Sequence, residues 1–320
     1  MIKILVNDGI HPDGKMLLEE AEYQVDTDKI AQEDLPKFLP AYDAIIVRSA
    51  TKVRKDLIDA CPNLKVIARG GVGLDNIDVA YAESKGIKVI NTPAASSRAV
   101  AELVFGHAFS LARMLHQSNR AMPLSGITDF KTLKSSYSKG FQLGGKTLGI
   151  IGFGRIGQEA AKIGIGLGMH IIASDPYLSE ANLSLQPAGF GDIKLDIRVQ
   201  TKPLDEVLKK ADFLTVHVPF SGGKAFIGAE EIAKMKTGAI LINTSRGGVV
   251  DEMALIDALN SGKLAGAGLD VFENEPTPRI ELLHHEKISL TPHTGAETKE
   301  AQVNIGMELA DKIIEFFGTN

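Results

Sequence analysis

The stretch Lys146 to Gly157, KTLGIIGFGRIG, decides how this chain is read. Thr147 to Ile151 predicts a buried strand, because from Leu148 onward apolar residues and a glycine run on without a charge. Gly152, Gly154 and Gly157 then give the spacing G-x-G-x-x-G, and a helix is predicted from Arg155 to Leu167. In a strand–turn–helix of this kind the first glycine permits the tight turn and the second lets backbone approach a pyrophosphate. The third lets helix and strand pack closely. The helix start, at Arg155 and Ile156, turns its positive end toward the phosphates. A second apolar strand, His170 to Ala173, leads to Asp175, close to the expected distance of about 20 residues from the glycines. A carboxylate there accepts hydrogen bonds from both ribose hydroxyls and repels a 2′-phosphate, so the cofactor expected is NAD rather than NADP.

Composition narrows the rest. A chain of 320 residues, 44% of them hydrophobic, suits two domains of ordinary size with a core each. The formal charge of -5 is mild, and there is no basic stripe for nucleic acid. No apolar run reaches the roughly 18 residues that a membrane span needs. MIKILVND enters a strand pattern directly, with no cleavable signal. The single cysteine, Cys61 in DACPNL, excludes an internal disulfide and reads as a small residue closing a helix, so a reducing cytoplasm is expected.

From the N-terminus, short apolar strands alternate with helix-like segments: Ile2 to Val6, Lys15 to Ala21, Tyr23 to Val25, Ile30 to Leu39 and Ala44 to Val47. Lys55 to Ala60, Leu64 to Ala68, Ile77 to Ser84 and Lys88 to Ile90 continue the series. The alternation predicts an α/β domain with a parallel sheet. A long helix is expected over Ser96 to His116, followed by a wandering Ser-, Gly- and Lys-rich connection from Met122 to Gly145. A second alternating series has strands near Leu148, Ile171, Phe213, Ala239, Ala267 and Ile288. The final helix, Thr298 to Phe317, is expected to return to the first domain. The fold class is therefore α/β, with two Rossmann-like or flavodoxin-like domains and the cofactor domain, 96–296, inserted between the 1–95 and 297–320 parts of the other. Such an arrangement predicts a ligand cleft between the domains. Leu185 to Thr201 does not fit the series, although alternation over Ile193 to Val199 could make an extra strand.

Three polar residues follow apolar strands in the second half, at the sheet edge where open α/β folds place ligands. Arg246 follows ILINTS, Glu275 lies just past GLDVFEN, and His293 follows ISLTP. A guanidinium binds an α-carboxylate and polarises a neighbouring carbonyl, and an imidazole exchanges a proton with a hydroxyl oxygen. A carboxylate orients the imidazole and favours its protonated form. Beside a nicotinamide, that set describes reversible hydride transfer between a 2-hydroxy acid and a 2-keto acid. The other histidines are assigned to packing, to the surface or to supporting the residues around a site. His284-His285-Glu286 gives no zinc site, because adjacent side chains diverge and no further ligands are evident, so no metal is expected.

KTLGIIGFGRIG, ADFLTVHVP, INTSRGGVVDE, GLDVFENEP and LTPHTG, in this order and spacing, resemble the D-isomer-specific 2-hydroxyacid dehydrogenases along essentially the whole chain. The resemblance implies catalytic roles for Arg246, Glu275 and His293. It implies that Asp270 bonds the nicotinamide carboxamide, that His217 and Pro219 lie in a loop lining the cofactor, and that Thr244 and Gly295 sit near the nicotinamide. VRSATKV, from Val47, and ARGGVGLDNID, from Ala68, look like the 3-phosphoglycerate dehydrogenase group of that family. By that likeness the Gly70 to Gly73 loop, chiefly Val72 and Gly73, offers N–H groups to the substrate carboxylate. Arg48, Ser49 and Arg69 then surround a phosphate, a dianion that two guanidiniums suit. Asn91, at a further strand end, helps with positioning.

Many relatives carry an aromatic and an Arg before the GKTLG segment, reaching into a neighbouring subunit's site; this chain has Tyr137, Ser138 and Lys139, and Lys139 keeps the charge without the fork. The resemblance implies a homodimer joined through the cofactor domains around Ala101 to Asn119. With the chain stopping at Asn320, feedback by serine through an appended domain is not expected. The activity expected is NAD-dependent interconversion of D-3-phosphoglycerate and 3-phosphohydroxypyruvate, the first step of serine synthesis. The alternative is a glyoxylate or hydroxypyruvate reductase. NAD-sensing corepressors share the fold and form a more remote alternative.

Overall fold

Apolar runs alternating with amphipathic segments build two parallel sheets in a computed structural model that describes every residue except Pro187, Ser221, Thr319 and Asn320. The chain divides into two compact units, 1–99 with 296–320, and 100–295.

In chain order the first unit contains β1 (Lys3–Val6), α1 (Pro12–Glu20), β2 (Gln24–Asp26), α2 (Leu35–Phe38) and β3 (Ala44–Val47). It continues with α3 (Lys55–Ala60), β4 (Val66–Arg69), α4 (Val79–Ser84) and β5 (Lys88–Asn91). The sheet order is β2-β1-β3-β4-β5, every pairing parallel. β3 is buried along its whole length, as expected of a strand covered on both faces, which explains its unbroken AIIV.

The second unit begins within α5 (Ser97–Ala112) and runs through α6 (Leu115–Ser125), α7 (Phe130–Ser136), β6 (Thr147–Ile151), α8 (Arg155–Gly166) and β7 (His170–Ser174). Then come β8 (Glu180–Leu185), β9 (Leu195–Gln200), α9 (Leu204–Lys210), β10 (Phe213–Val216), α10 (Ala229–Lys234) and β11 (Ala239–Asn243). The unit closes with α11 (Glu252–Asn260), β12 (Leu264–Leu269), α12 (Ile280–Leu283) and β13 (Ile288–Leu290). Its main sheet has the parallel order β13-β12-β11-β10-β6-β7. α5 packs close to β12 because that strand is nearly bare of side chains there. A Cβ on Gly266 would lie 2.9 Å from Leu111 Cδ2, and one on Gly268 2.7 Å from His107 Cβ.

The chain then re-enters the first unit as α13 (Lys299–Phe317), capped by Thr298, whose hydroxyl accepts from the Ala301 N–H at 3.1 Å. Ile305, Leu309 and Ile313 of α13 join Ile4, Ile46 and Ala68 in one core. α13 crosses α1 at a glycine pair, where a Cβ on Gly14 would come within 2.4 Å of the Gly306 carbonyl oxygen.

Three expectations are corrected. The Met122 to Gly145 stretch is not simply a wandering connection: α6 and α7 occupy much of it, and α5 stops at Ala112, with Met114 at φ 54 before the chain turns into α6. Neither α6 nor α7 buries any residue, and Pro123 lies inside α6, where a proline usually breaks a helix. Ile30 to Leu39 is helical only over α2 and the 3-10 turn Leu39–Ala41. The extra strand exists as β9, and it pairs antiparallel with β8, a strand that sequence reading left out. Pro187, between them, lies outside the described residues.

Candidate active site

The glycine loop after β6 is held by crowding. Gly152 has φ +85, and a Cβ there would sit 2.5 Å from the His217 carbonyl oxygen, so both backbone conformation and space demand glycine. A Cβ on Gly157 would fall 2.2 Å from the Gly152 carbonyl oxygen, which is the close strand–helix packing expected of the third glycine. Gly154, the N-cap of α8, differs: nothing lies within 4 Å of its Cβ position. The protein's own packing does not require glycine there, whereas close approach of a phosphate does.

Asp175, just past β7, is locked beside this loop. Its Oδ2 accepts the Phe153 N–H at 2.8 Å, and its Oδ1 accepts those of Tyr177 at 2.8 Å and Leu178 at 3.1 Å. Farther along the same edge, His217 Nδ1 and Thr244 Oγ1 are buried with no hydrogen-bond partner among the described residues. Burial pushes the His217 imidazole down to about 4, and its Nε2 pairs with Thr215 Oγ1 at 3.0 Å. Buried polar atoms without partners are costly unless a ligand satisfies them. The loop glycines, the acid and these two atoms fit a dinucleotide. Pro219 is exposed on the loop that follows His217.

The three candidate chemical residues stand on separate loops of this unit. His293 and Glu275 meet directly, with Nδ1 2.7 Å from Oε2. The backbone of His293 has φ 56, a left-handed conformation that a non-glycine residue adopts only when its surroundings impose it. Glu275 is fixed through its other oxygen, which accepts the Phe272 N–H at 2.9 Å. The hydrogen bond that His293 gives to Glu275 raises the His293 pKa above its ordinary value, with burial opposing. Burial pushes Glu275 upward, but the His293 bond, the Phe272 N–H and the Arg246 charge together hold it below the usual carboxylate range. The side chains remain 46% and 36% exposed, open enough for a small molecule to reach the ring. Phe272, Pro276, Pro278, Leu283 and Leu290 wall a cavity of about 370 Å³ alongside the pair.

Arg246 belongs to the turn after β11. Its guanidinium donates to the Ser245 carbonyl at 2.7 Å, and its charge is felt by both Glu275 and His293. Asn243 organises this turn by donating to the Arg246 carbonyl at 3.0 Å and accepting from the Ser245 N–H and hydroxyl. The following residue has no room for a side chain: a Cβ on Gly247 would lie 1.8 Å from the Phe272 carbonyl oxygen. The Arg246 turn is thereby packed on the segment that carries Glu275.

Asp270 is 1% exposed and acts as a hub beneath His293. Oδ1 accepts from the Thr291 hydroxyl at 2.6 Å and the Thr294 N–H at 2.8 Å, and Oδ2 from the Gly295 N–H at 2.9 Å. Behind it, His107 Nε2 lies 3.1 Å from Thr291 Oγ1, and Nδ1 lies 2.9 Å from Ser289 Oγ. Because the Thr291 proton goes to Asp270, Nε2 carries the His107 hydrogen and Nδ1 accepts. Burial lowers the His107 pKa to about 4, so the ring is a neutral strut.

The remaining candidates lie at the C-terminal edge of the first unit's sheet. Gly70 N–H is taken by the Val47 carbonyl at 2.9 Å and Gly71 N–H by the Thr92 hydroxyl at 2.8 Å. Asn91 Nδ2 donates to the Val72 carbonyl at 2.7 Å, which fixes the loop carrying Val72 and Gly73. Arg69 folds its guanidinium over Gly71, Arg48 pairs with Glu297, and Ser49 is exposed.

Sequence reading missed Asn243, His107, Thr291 and Glu297. Asn243, two residues before Ser245, carries a recognisable local side-chain-to-backbone signal. His107 gives none, since its partner Ser289 is 182 positions away.

The D-isomer specific 2-hydroxyacid dehydrogenase NAD-binding domain profile matches residues 105–295. The chain is 43% identical to a hydroxypyruvate reductase of Thermotoga maritima, over 99% of this chain and 98% of that one. It is 44% identical to a D-3-phosphoglycerate dehydrogenase of Methanocaldococcus jannaschii over 98% of its own length, spanning 57% of that protein. Among solved structures, a glyoxylate reductase from Paecilomyes thermophila superposes with a TM-score of 0.81 at 28% identity, covering 98% and 94% of the two chains. The chain belongs to the D-isomer-specific 2-hydroxyacid dehydrogenases, NAD(P)-dependent oxidoreductases acting on CH–OH groups.

Proposed function

We propose that this protein interconverts a three-carbon D-2-hydroxy acid and its 2-keto acid, with His293 as the proton-transferring residue. The observation that carries the reading is the His293–Glu275 hydrogen bond at 2.7 Å. Glu275 engages Nδ1, so Nε2 is the nitrogen that faces substrate oxygen. In the reducing direction protonated His293 gives its Nε2 proton to the carbonyl oxygen, and the Glu275 carboxylate stabilises the charged ring beforehand. Arg246 binds the α-carboxylate and polarises the adjacent carbonyl. When bound, the nicotinamide supplies the two-electron chemistry.

Gly152, Gly154, Arg155, Ile156 and Gly157 would hold the pyrophosphate, Asp175 the adenosine ribose, and His217, Pro219 and Thr244 the rest of the dinucleotide. The Asp175 charge favours NAD. Asp270 would act near the nicotinamide through Thr294 and Gly295, whose N–H groups it orients. The N–H groups of Val72 and Gly73 are the donors left in their loop for a substrate carboxylate.

Two members of the three-carbon class compete. Arg48, Ser49 and Arg69 favour D-3-phosphoglycerate and 3-phosphohydroxypyruvate, hence a place at the start of serine synthesis. Similarity over nearly the full length of a hydroxypyruvate reductase favours the unphosphorylated acids. A panel of 2-keto acids with NADH and NADPH tests the proposal: three-carbon acids with NADH should give the highest kcat/KM, and a preference for bulky or branched acids would defeat it.

We also propose a homodimer through the cofactor domain. Leu124, Ile127 and Phe130, in the segment from α6 to α7, are 87%, 101% and 57% exposed, which is unusual for side chains so apolar and so close together. Sedimentation should give twice the 34.3 kDa chain mass. Cys61 is buried, its thiol pushed up to about 11, which suits a chain working in a reducing cytoplasm. Among the described residues no helix is long and apolar enough to cross a membrane.

A further inference from the structure

The strand order of the first unit's sheet reverses between β1 and β3, and open α/β sheets bind ligands at such a switch point. A cavity of about 290 Å³ lies there, with Asp8, His11, Arg48, Gly70, Gln302 and Ile305 in its wall. Arg48 is the wall's one arginine or lysine among the described residues. Its guanidinium does not face the cavity unopposed, because Nη2 donates to Glu297 Oε1 in an ion pair. A second acid sits at the same place. Asp8 accepts the backbone N–H groups of Arg48 at 2.8 Å and Thr51 at 2.9 Å, and the Thr51 hydroxyl at 2.8 Å.

Glu297 is well placed to keep that pairing. It immediately precedes Thr298, the N-cap of the 19-residue α13, and the positive end of a helix favours a carboxylate there. Both members are only partly exposed, 30% and 41%, so solvent screens the pair incompletely.

We infer that Glu297 determines substrate choice: by holding the Arg48 guanidinium, with Asp8 a second acid beside it, it leaves this subsite without an excess of positive charge, and it selects an unphosphorylated three-carbon acid, hydroxypyruvate or D-glycerate, over the phosphorylated one. The inference rests on the three-carbon reading above, in which Arg48 meets the substituent that distinguishes the two acids. A phosphate dianion reaching Arg48 must either displace Glu297 or lie beside its charge, and juxtaposed like charges are disfavoured. A terminal hydroxyl meets no such opposition. It needs one donor, and a guanidinium has five N–H groups, of which the Glu297 bond uses one.

The test compares kcat/KM for NADH-dependent reduction of hydroxypyruvate and phosphohydroxypyruvate by the wild type, Glu297→Ser, Glu297→Gln and Glu297→Ser combined with Arg48→Ala. The wild type should prefer hydroxypyruvate. Each single Glu297 variant should move the ratio toward the phosphorylated acid by about tenfold or more, chiefly through a lower KM for that acid. Adding Arg48→Ala should erase the shift, which a purely structural role for Glu297 does not predict. A wild type that prefers phosphohydroxypyruvate overturns the inference without any variant. So does an unmoved ratio in whichever Glu297 variant retains a native circular dichroism spectrum. A wild type that rejects both acids yet reduces other 2-keto acids removes the three-carbon reading itself, and the inference with it.

Discussion

The C-terminal edges of the two sheets carry different kinds of constraint. In the second unit, positions are set by crowding: Gly157 against the Gly152 carbonyl and Gly247 against the Phe272 carbonyl leave no space for a methyl group. The polar groups on that edge then either pair with each other, as His293 does with Glu275, or stay buried without a partner among the described residues, as Thr244 Oγ1 does. In the first unit, loops are tied by a hydrogen bond that Thr92 accepts and one that Asn91 donates, and the charge of Arg48 is met by Glu297. Close packing fixes a reacting geometry to within fractions of an ångström, whereas an ion pair at the surface fixes a charge balance. The first suits chemistry and the second suits selection among substrates.

The comparison is broken most directly at His293. His293→Ala should lower kcat by about 10²–10⁴-fold, the usual worth of a positioned acid–base group, with NADH affinity nearly unchanged. Single-turnover kinetics beside a fluorescence titration of NADH separates the two, and a loss confined to binding would move the chemistry elsewhere. Gly247→Ala tests whether crowding matters, because its new methyl must push the Arg246 turn off the Phe272 carbonyl. A displacement of that size should cost roughly 10²-fold in kcat. An active variant with a native melting temperature would mean the edge is softer than its packing implies.

Glu275→Gln should have a smaller effect on rate, about tenfold, and a diagnostic effect on pH. Reduction needs protonated His293, whose pKa the Glu275 bond raises, so the rate should fall as pH rises through that elevated value. With Gln at 275 the fall should move down toward the ordinary imidazole value of about 6.5. The same linkage acts on stability. The raised His293 pKa contributes stability that is present below the unfolded value and lost as pH rises through the native one. The depressed Glu275 pKa contributes above its unfolded value and is lost as pH falls through the native one. Chemical denaturation of wild type and Glu275→Gln across pH 4 to 9 reads both limbs, and a pH-independent difference would contradict the pairing.

The smallest effect should come from the first unit's exposed ion pair between Arg54 and Asp78, with side chains 47% and 35% exposed. Arg54→Ala should change unfolding free energy by less than about 1 kcal/mol. A larger loss would show that charge pairing in this unit supports the fold as well as tuning ligand choice.

Much of this was legible beforehand. The glycine spacing after β6, the acid after β7 and the strand-end positions of Arg246, Glu275 and His293 are properties of local sequence and strand periodicity. α6 and α7 were not legible, because Pro123 lies inside α6, α7 is only seven residues long, and neither buries a residue. Nor was the Asp270–Thr291–His107 network, whose members come from three separate stretches of chain.

What the sequence alone determined is the α/β alternation, the dinucleotide loop and the strand-end positions of Arg246, Glu275 and His293, since each depends on spacings within one stretch of chain. Tertiary structure alone decided that His293 turns Nδ1 to Glu275, that Asp270 is consumed in holding the turn beneath it, and that Arg48 meets Glu297 249 positions away. Hydrogen bonds and ion pairs depend on distances of about 3 Å, and only the folded chain brings such remote groups that close.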